Sequence, residues 1–274
     1  MDYNTPGDIA RNACSTALTK ANLSIFQLLA LGVAAGAYIA LGGFFMTVVT
    51  QDSAQYVGVG ITRLIAGAVF PVGLMMVVVG GGELFTGNCI MPIGYLAGCV
   101  PMEKIVRNWF YVYLFNGLGA VIVAWLVWKS GIASGTCGVN ALKIAVGKVN
   151  STWPQLITRG ILCNWLVAMG VWLSYGARDI VGKYFGCFFP TMAFVACGYE
   201  HSVANMYFVP LGMFLKGDAS IITQAALPAE KLAQLNLNGL FANLLPVTIG
   251  NILGAVIFIA GLYYVAYRPS LTEK

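Results

Sequence analysis

Twice in this chain a long apolar run is cut by the same pattern, G-x-E-x4-N. The first copy is Gly81-Gly82-Glu83 with Asn88, and the second is Gly198-Tyr199-Glu200 with Asn205. Acidic and amide groups are costly in hydrocarbon, so they lie where protein or water covers them. Irregular backbone at membrane depth obeys the same restriction. Glycine permits turns that other residues resist. Each copy therefore reads as a membrane helix broken at mid-depth. The second break also holds the only histidine, His201, beside Glu200.

The flanking sequence supports a membrane setting. Charged residues make up 9% of the chain and hydrophobic ones 59%, with mean hydropathy +0.80. A soluble domain carries about 25% charged residues. The expectation is an all-α polytopic membrane protein in one domain, residues 1–274. About 20 apolar residues cross a bilayer, and runs of that length begin at Leu23, Ile61, Tyr111, Pro154, Phe185 and Phe241. Residues 1–22 read as a polar arm, 23–128 as a first repeat and 129–153 as a polar-leaning connection. Residues 154–267 read as a second repeat and 268–274 as a tail. Residues 101–108 read as a charged turn, and 89–100 as the second half of the first broken helix.

The halves repeat beyond the breaks. Asn116-Gly-Leu-Gly-Ala-Val-Ile122 parallels Asn251-Ile-Leu-Gly-Ala-Val-Ile257. Three spans per half force the copies into opposite orientations, an inverted repeat whose site lies where the broken helices meet. Half-helix N-termini would place partial positive charge there. Six spans put both termini on one face. Lysines and arginines divide almost evenly between the faces, leaning toward cytoplasmic termini. No cleavable signal peptide is visible, because Met1 to Lys20 lacks an apolar core.

Other function classes find little support. The net charge of +5 is scattered, with no nucleic-acid footprint. The seven cysteines show no CxxC and no metal-like spacing with His201. They read as small buried hydrophobes rather than disulfides or ligands. No nucleotide loop, haem-type histidine pair or cofactor motif suggests an enzyme.

The breaks GGELFTGN and GYEHSVANM resemble the two signatures of the formate/nitrite transporter family. LCNWLV (162–167) and LLPVTIGN (244–251) also resemble its motifs. The resemblance implies an aquaporin-like protomer of six helices, two of them broken, in a homopentamer of the inner (plasma) membrane. Each protomer would pass small monovalent anions such as formate, nitrite or hydrosulfide. The segment 207–212 leans toward formate channels, and LCNWLV and GYEHSVANM lean toward nitrite ones. An aquaporin-like channel for a neutral solute shares the fold plan, but this chain has no Asn-Pro-Ala motif.

The resemblance also assigns residues. His201 is the central pore histidine and Asn164 its hydrogen-bond partner. Leu84, Phe85 and Thr86 form a loop beside the pore. Phe70, Leu74 and Phe194 narrow it, although periodicity alone reads them as packing. Lys148 attracts anions on the periplasmic side, where a plain loop lysine would be solvated. Glu83 and Glu200 would repel an anion, so they read as structural, accepting hydrogen bonds from break N–H groups and from Asn88 and Asn205. An imidazole switches charge near neutral pH. His201 could therefore attract the anion as an imidazolium or lend it a proton, with protons as a coupled partner at low pH.

Overall fold

The computed structural model describes residues 3–272; Met1, Asp2, Glu273 and Lys274 lie outside it. Among the described residues there is no strand beyond one isolated bridge, Tyr3–Ala177. The first half runs α1 (Pro6–Ala21), α2 (Ile25–Thr50), α3 (Ala54–Val69), α4 (Val72–Gly80), α5 (Phe85–Asn88), α6 (Pro92–Leu96) and α7 (Met102–Lys129). The second runs α8 (Gly135–Val149), α9 (Trp153–Gly176), α10 (Ile180–Ala196), α11 (Ser202–Leu215), α12 (Ala219–Ala225), α13 (Ala229–Ala233) and α14 (Leu237–Ala255). A π-helical stretch, Val256–Gly261, then carries the last span into α15 (Leu262–Thr272).

Among the described residues, five helical segments are long and apolar enough to cross a membrane, with α3 and α4 together forming one and α14 to α15 another. The shorter apolar pair α10 and α11 supplies the sixth crossing as a broken span. Matching caps start matching helices. Ser24 with Gln27 forms a capping box on α2, and Thr152 with Gln155 forms one on α9. Each box satisfies backbone donors that the first turn leaves free.

Small residues bring the spans together as the repeat requires. Gly36 on α2 lies against the Asn116 carbonyl of α7, and Gly119 on α7 lies against the Val33 carbonyl. In the second half, Gly250 and Gly254 on α14 lie against the Ile157 and Ile161 carbonyls of α9. A methyl group at any of these positions would collide with backbone. Such close crossings replace the hydrophobic drive that helices lack among lipid tails.

Several boundaries differ from the sequence reading. The connection 129–153 is largely helix α8, the counterpart of α1 in the arm 1–22. Glu103, Lys104 and Arg107 belong to the first turns of α7, so the charged turn is helix. The helix after the first break is only the short turns α5 and α6, whereas α11 is a full half-helix. Pro92 and the positive φ of Gly98 (73°) help explain this, since both favour turns. The cysteine reading also needs correction: Cys14 and Cys99 form a disulfide between α1 and the turn before α7.

Candidate functional site: two mirrored breaks meeting at Thr86 and His201

Each break is built the same way. α4 ends on Gly81 (φ 88°), and α10 is followed by Gly198 (φ 75°), a left-handed conformation that strains other residues. The next amides bond to the neighbouring span: Glu83 N–H donates to Leu31 O (3.1 Å) and Glu200 N–H to Arg159 O (3.3 Å). An asparagine from the third span of each half then closes the break. Asn116 Oδ1 accepts from Phe85 N–H (2.9 Å), while its Nδ2 donates to Gly32 O and Glu83 O (both 2.8 Å). Asn251 Oδ1 accepts from Ser202 N–H (2.9 Å), while its Nδ2 donates to Gly160 O and Glu200 O (both 2.9 Å).

These asparagines answer an accounting problem. Buried backbone groups need partners, and each one left unpaired costs about 1–3 kcal/mol. The sequence reading gave the break N–H groups to the glutamates, but two carboxamides serve them instead. The available signal was their position at the head of the matched N-x-L-G-A-V-I segments. Asn251→Leu strips three hydrogen bonds and is expected to destabilise the protein by at least about 3 kcal/mol, read as a drop in melting temperature. Asn116→Leu should behave alike.

The glutamates are buried, each 5% exposed, and each is held by a lysine. Lys20 Nζ donates to Glu83 Oε1 (2.5 Å) and Lys148 Nζ to Glu200 Oε1 (2.9 Å). The second carboxylate oxygen accepts from Asn88 and Asn205 respectively (both 2.7 Å). Those amides also donate to Asn108 and Asn243 (both 2.8 Å). Asn108 and Asn243 in turn donate to the backbone carbonyls of Lys20 (3.2 Å) and Lys148 (2.9 Å). The sequence reading placed Lys20 in the arm and missed its place in this cluster. Its equivalence to Lys148 needed the match between α1 and α8.

Two cavities approach the centre. One, of about 160 Å³, is lined by Lys20, Thr16, Leu74, Leu84, Asn88 and Tyr175 among others. The other, of about 170 Å³, is lined by Lys148, Phe70, Phe194, His201 and Phe208 among others. Phe70 meets Phe194 edge to face with centroids 5.8 Å apart, and Phe194 stacks on His201 at 5.8 Å. At the junction Thr86 Oγ1 lies 2.8 Å from His201 Nε2. Both are buried, although 115 residues separate them.

His201 is also the N-cap of α11. Its Nδ1 accepts from Ala204 N–H at 3.1 Å. A ring nitrogen that accepts carries no hydrogen, so the neutral ring bears its proton on Nε2, pointing at Thr86. The resemblance made Asn164 the partner of His201. Its hydrogen bonds go elsewhere: Nδ2 donates to Thr86 O (3.1 Å) and Asn251 O (2.7 Å). It bears on the histidine through Thr86. Phe85 also departs from its expected place beside the pore. It turns to α7, edge to face with Tyr113 (4.8 Å) and Trp109 (6.1 Å).

The family model described as formate/nitrite transporter matches residues 7–265. A probable formate transporter of Methanothermobacter thermautotrophicus is 41% identical, with 97% of each chain covered. The formate channel FocA of Haemophilus influenzae is 37% identical over 93% of this chain and 92% of its own. A solved pentameric formate channel with formate bound superposes with TM-score 0.79 at 32% identity, covering 89% of this chain and 98% of that one. An FNT family ion channel superposes with TM-score 0.81 at 29% identity, covering 94% and 98%. The all-helical, aquaporin-like plan is therefore the fold, in an integral membrane protein. The chain belongs to the formate/nitrite transporter family.

Proposed function

We propose that this protein passes a small monovalent weak acid or its anion, formate foremost, between the Lys20 and Lys148 cavities. The observation that carries the reading is the buried Thr86–His201 contact: His201 lines the Lys148 cavity, and Leu84 and Gly87, on either side of Thr86 in the chain, line the Lys20 cavity. The relatives named as a probable formate transporter and as a formate channel favour formate. The solved neighbour is a pentameric formate channel, which supports a homopentamer here; each protomer would carry its own path, because both cavities lie within one chain. We place the protein in the inner membrane with cytoplasmic termini, Lys20 facing the cytoplasm and Lys148 the outer side.

Electrostatics shapes the mechanism. A bare anion faces a desolvation cost idealised at tens of kcal/mol in an apolar constriction. Here Leu74 and Leu84 stand on one side of the centre, with Phe70 and Phe194 on the other. Each lysine draws the anion into its cavity while the buried glutamate holds that lysine in place. The charge is then cancelled by a proton taken from the water at that mouth, the neutral acid crosses past Thr86 and His201, and the proton returns to the water on the far side. The Ala204 cap bond occupies Nδ1, so a standing imidazolium would have to break it. The geometry thus favours a proton gained before the constriction, with His201 Nε2–H and the Thr86 hydroxyl as fixed polar contacts during passage.

Initial fluxes of formate, nitrite and hydrosulfide into liposomes, at one pH and with matched gradients, test this. Formate is expected to lead. Water flux without anion flux would overturn the reading in favour of a neutral-solute channel.

A further inference from the structure

Cys14 and Cys99 are joined across 85 residues of sequence, with Cα atoms 6.8 Å apart. That separation lies within what a disulfide spans. The bridge ties α1 to the turn between α6 and α7. Its two ends differ: Cys14 is buried against the core, and Cys99 is exposed. α1 is also a wall of the first cavity, to which it contributes Thr16 and Lys20. These residues follow Cys14 by less than two helical turns, so what holds Cys14 also holds the cation at that mouth.

The other half has no such tie. Counting back six residues from each lysine, Cys14 corresponds to Leu142 on α8, a fully buried residue. α8 packs directly against α11 and α12. Apolar packing thus positions the helix that carries Lys148. α1 packs against α9 and α7 as α8 packs against α2 and α14, and it also meets the short turns of α6 and the chain end at α15, where Arg11 Nη1 donates to Ser270 O at 3.4 Å. The cross-link fastens α1 on the α6 side, where short turns stand in place of the full half-helix α11.

We propose that Cys14–Cys99 is a reversible redox latch that sets how firmly α1, and with it Lys20, is held at one mouth of the path. The inference rests on the anion-path reading above. In closing, the exposed Cys99 thiolate attacks a disulfide of a low-molecular-weight oxidant or an oxidised dithiol protein. One thiolate leaves, and a mixed disulfide remains on Cys99. The Cys14 thiolate then attacks the Cys99 sulfur and expels the second thiolate. The pair loses two electrons and its two thiol protons, and the acceptor disulfide becomes two thiols. In opening, an incoming thiolate attacks Cys99 and releases Cys14. Cytosolic thiol pools keep most such bonds reduced. On a face turned to the cytoplasm, the latch would close under oxidising conditions.

The test uses the full chain in liposomes, oxidised with glutathione disulfide or reduced with a phosphine. Cys197 is also exposed, beside the second cavity, so the measurement is made in a Cys197→Ser background. Three readouts are taken: alkylation after denaturation, formate flux, and amide hydrogen exchange along α1. Reduction is expected to add two alkylated cysteines and to speed exchange in α1. It should also lower flux about threefold, because the Lys20–Glu83 pair is loosened and not broken. Cys99→Ser, at an exposed site, should match the reduced protein under both conditions. Unchanged alkylation, or equal and measurable flux in both states, would overturn the latch. If no anion crosses in either state but α1 exchange still follows the redox state, the anion path fails and the latch stands. Equal exchange in that case overturns both.

Discussion

Glu200→Ala is expected to lower the melting temperature of the detergent-solubilised protein by about 6–20 °C. The substitution leaves the Lys148 ammonium, only 18% exposed, without its carboxylate. It also takes one acceptor from Asn205 Nδ2. Breaking a buried ion pair by removing one partner costs about 3–5 kcal/mol. A chain of this size loses about 2–4 °C per kcal/mol. Glu83→Ala should behave alike, because Lys20, Asn88 and Asn108 repeat the arrangement. Glu103→Ala is the control: that residue is exposed, and its loss should stay within about 0.5 kcal/mol.

The same logic predicts a rescue. Replacing a buried ion pair by apolar or neutral groups of similar volume is often close to neutral in stability. Lys148→Met combined with Glu200→Gln should therefore recover most of the lost melting temperature, since glutamine still offers Asn205 an acceptor. The rescued protein should remain poor at formate flux, because the cavity has lost its cation. A rescued protein with full flux would show that Lys148 serves the fold alone.

His201→Leu is expected to reduce formate flux about 2- to 13-fold. A hydrogen bond between neutral groups is worth about 0.5–1.5 kcal/mol, and leucine offers the passing acid none. It also removes the cap from Ala204 N–H and the partner from Thr86. His201→Asn separates these effects, because asparagine is a good N-cap and keeps a polar tip. That variant should fold and conduct. Its flux should still rise about tenfold for each unit of acidification, because the neutral fraction of a weak acid grows by that factor well above its own pKa. A flat pH profile in a conducting His201→Asn protein would return the proton to the imidazole.

Much of the fold is one-dimensional information. Apolar runs of membrane length, cut twice by G-x-E-x4-N, give the span pattern and the inverted repeat. The hydrocarbon leaves few other ways to bury that backbone. Helix ends were less legible. Charges at 101–108 suggested a turn but lie in the first turns of α7, and α8 was hidden in a connection of mixed polarity. Hydropathy reports contact with lipid, and neither stretch needs to span.

The site divides in the same way. The sequence by itself marked Glu83, Glu200 and His201 as residues of helix breaks, because polar groups in apolar runs have few other places to be; Asn88 and Asn205, read with them, lie in the helices that follow, α5 and α11. Only the tertiary structure decided what each one touches. Lys20 meets Glu83 across 63 residues, and Lys148 meets Glu200 across 52. Thr86 meets His201, Phe85 turns to α7 and Cys14 reaches Cys99. Side-chain direction at a break follows from φ and ψ at one or two residues, which a hydropathy pattern does not encode. The long-range partners follow from how two inverted halves dock. That docking is set by glycine crossings and shared asparagines, whose geometry exists only once both halves are folded.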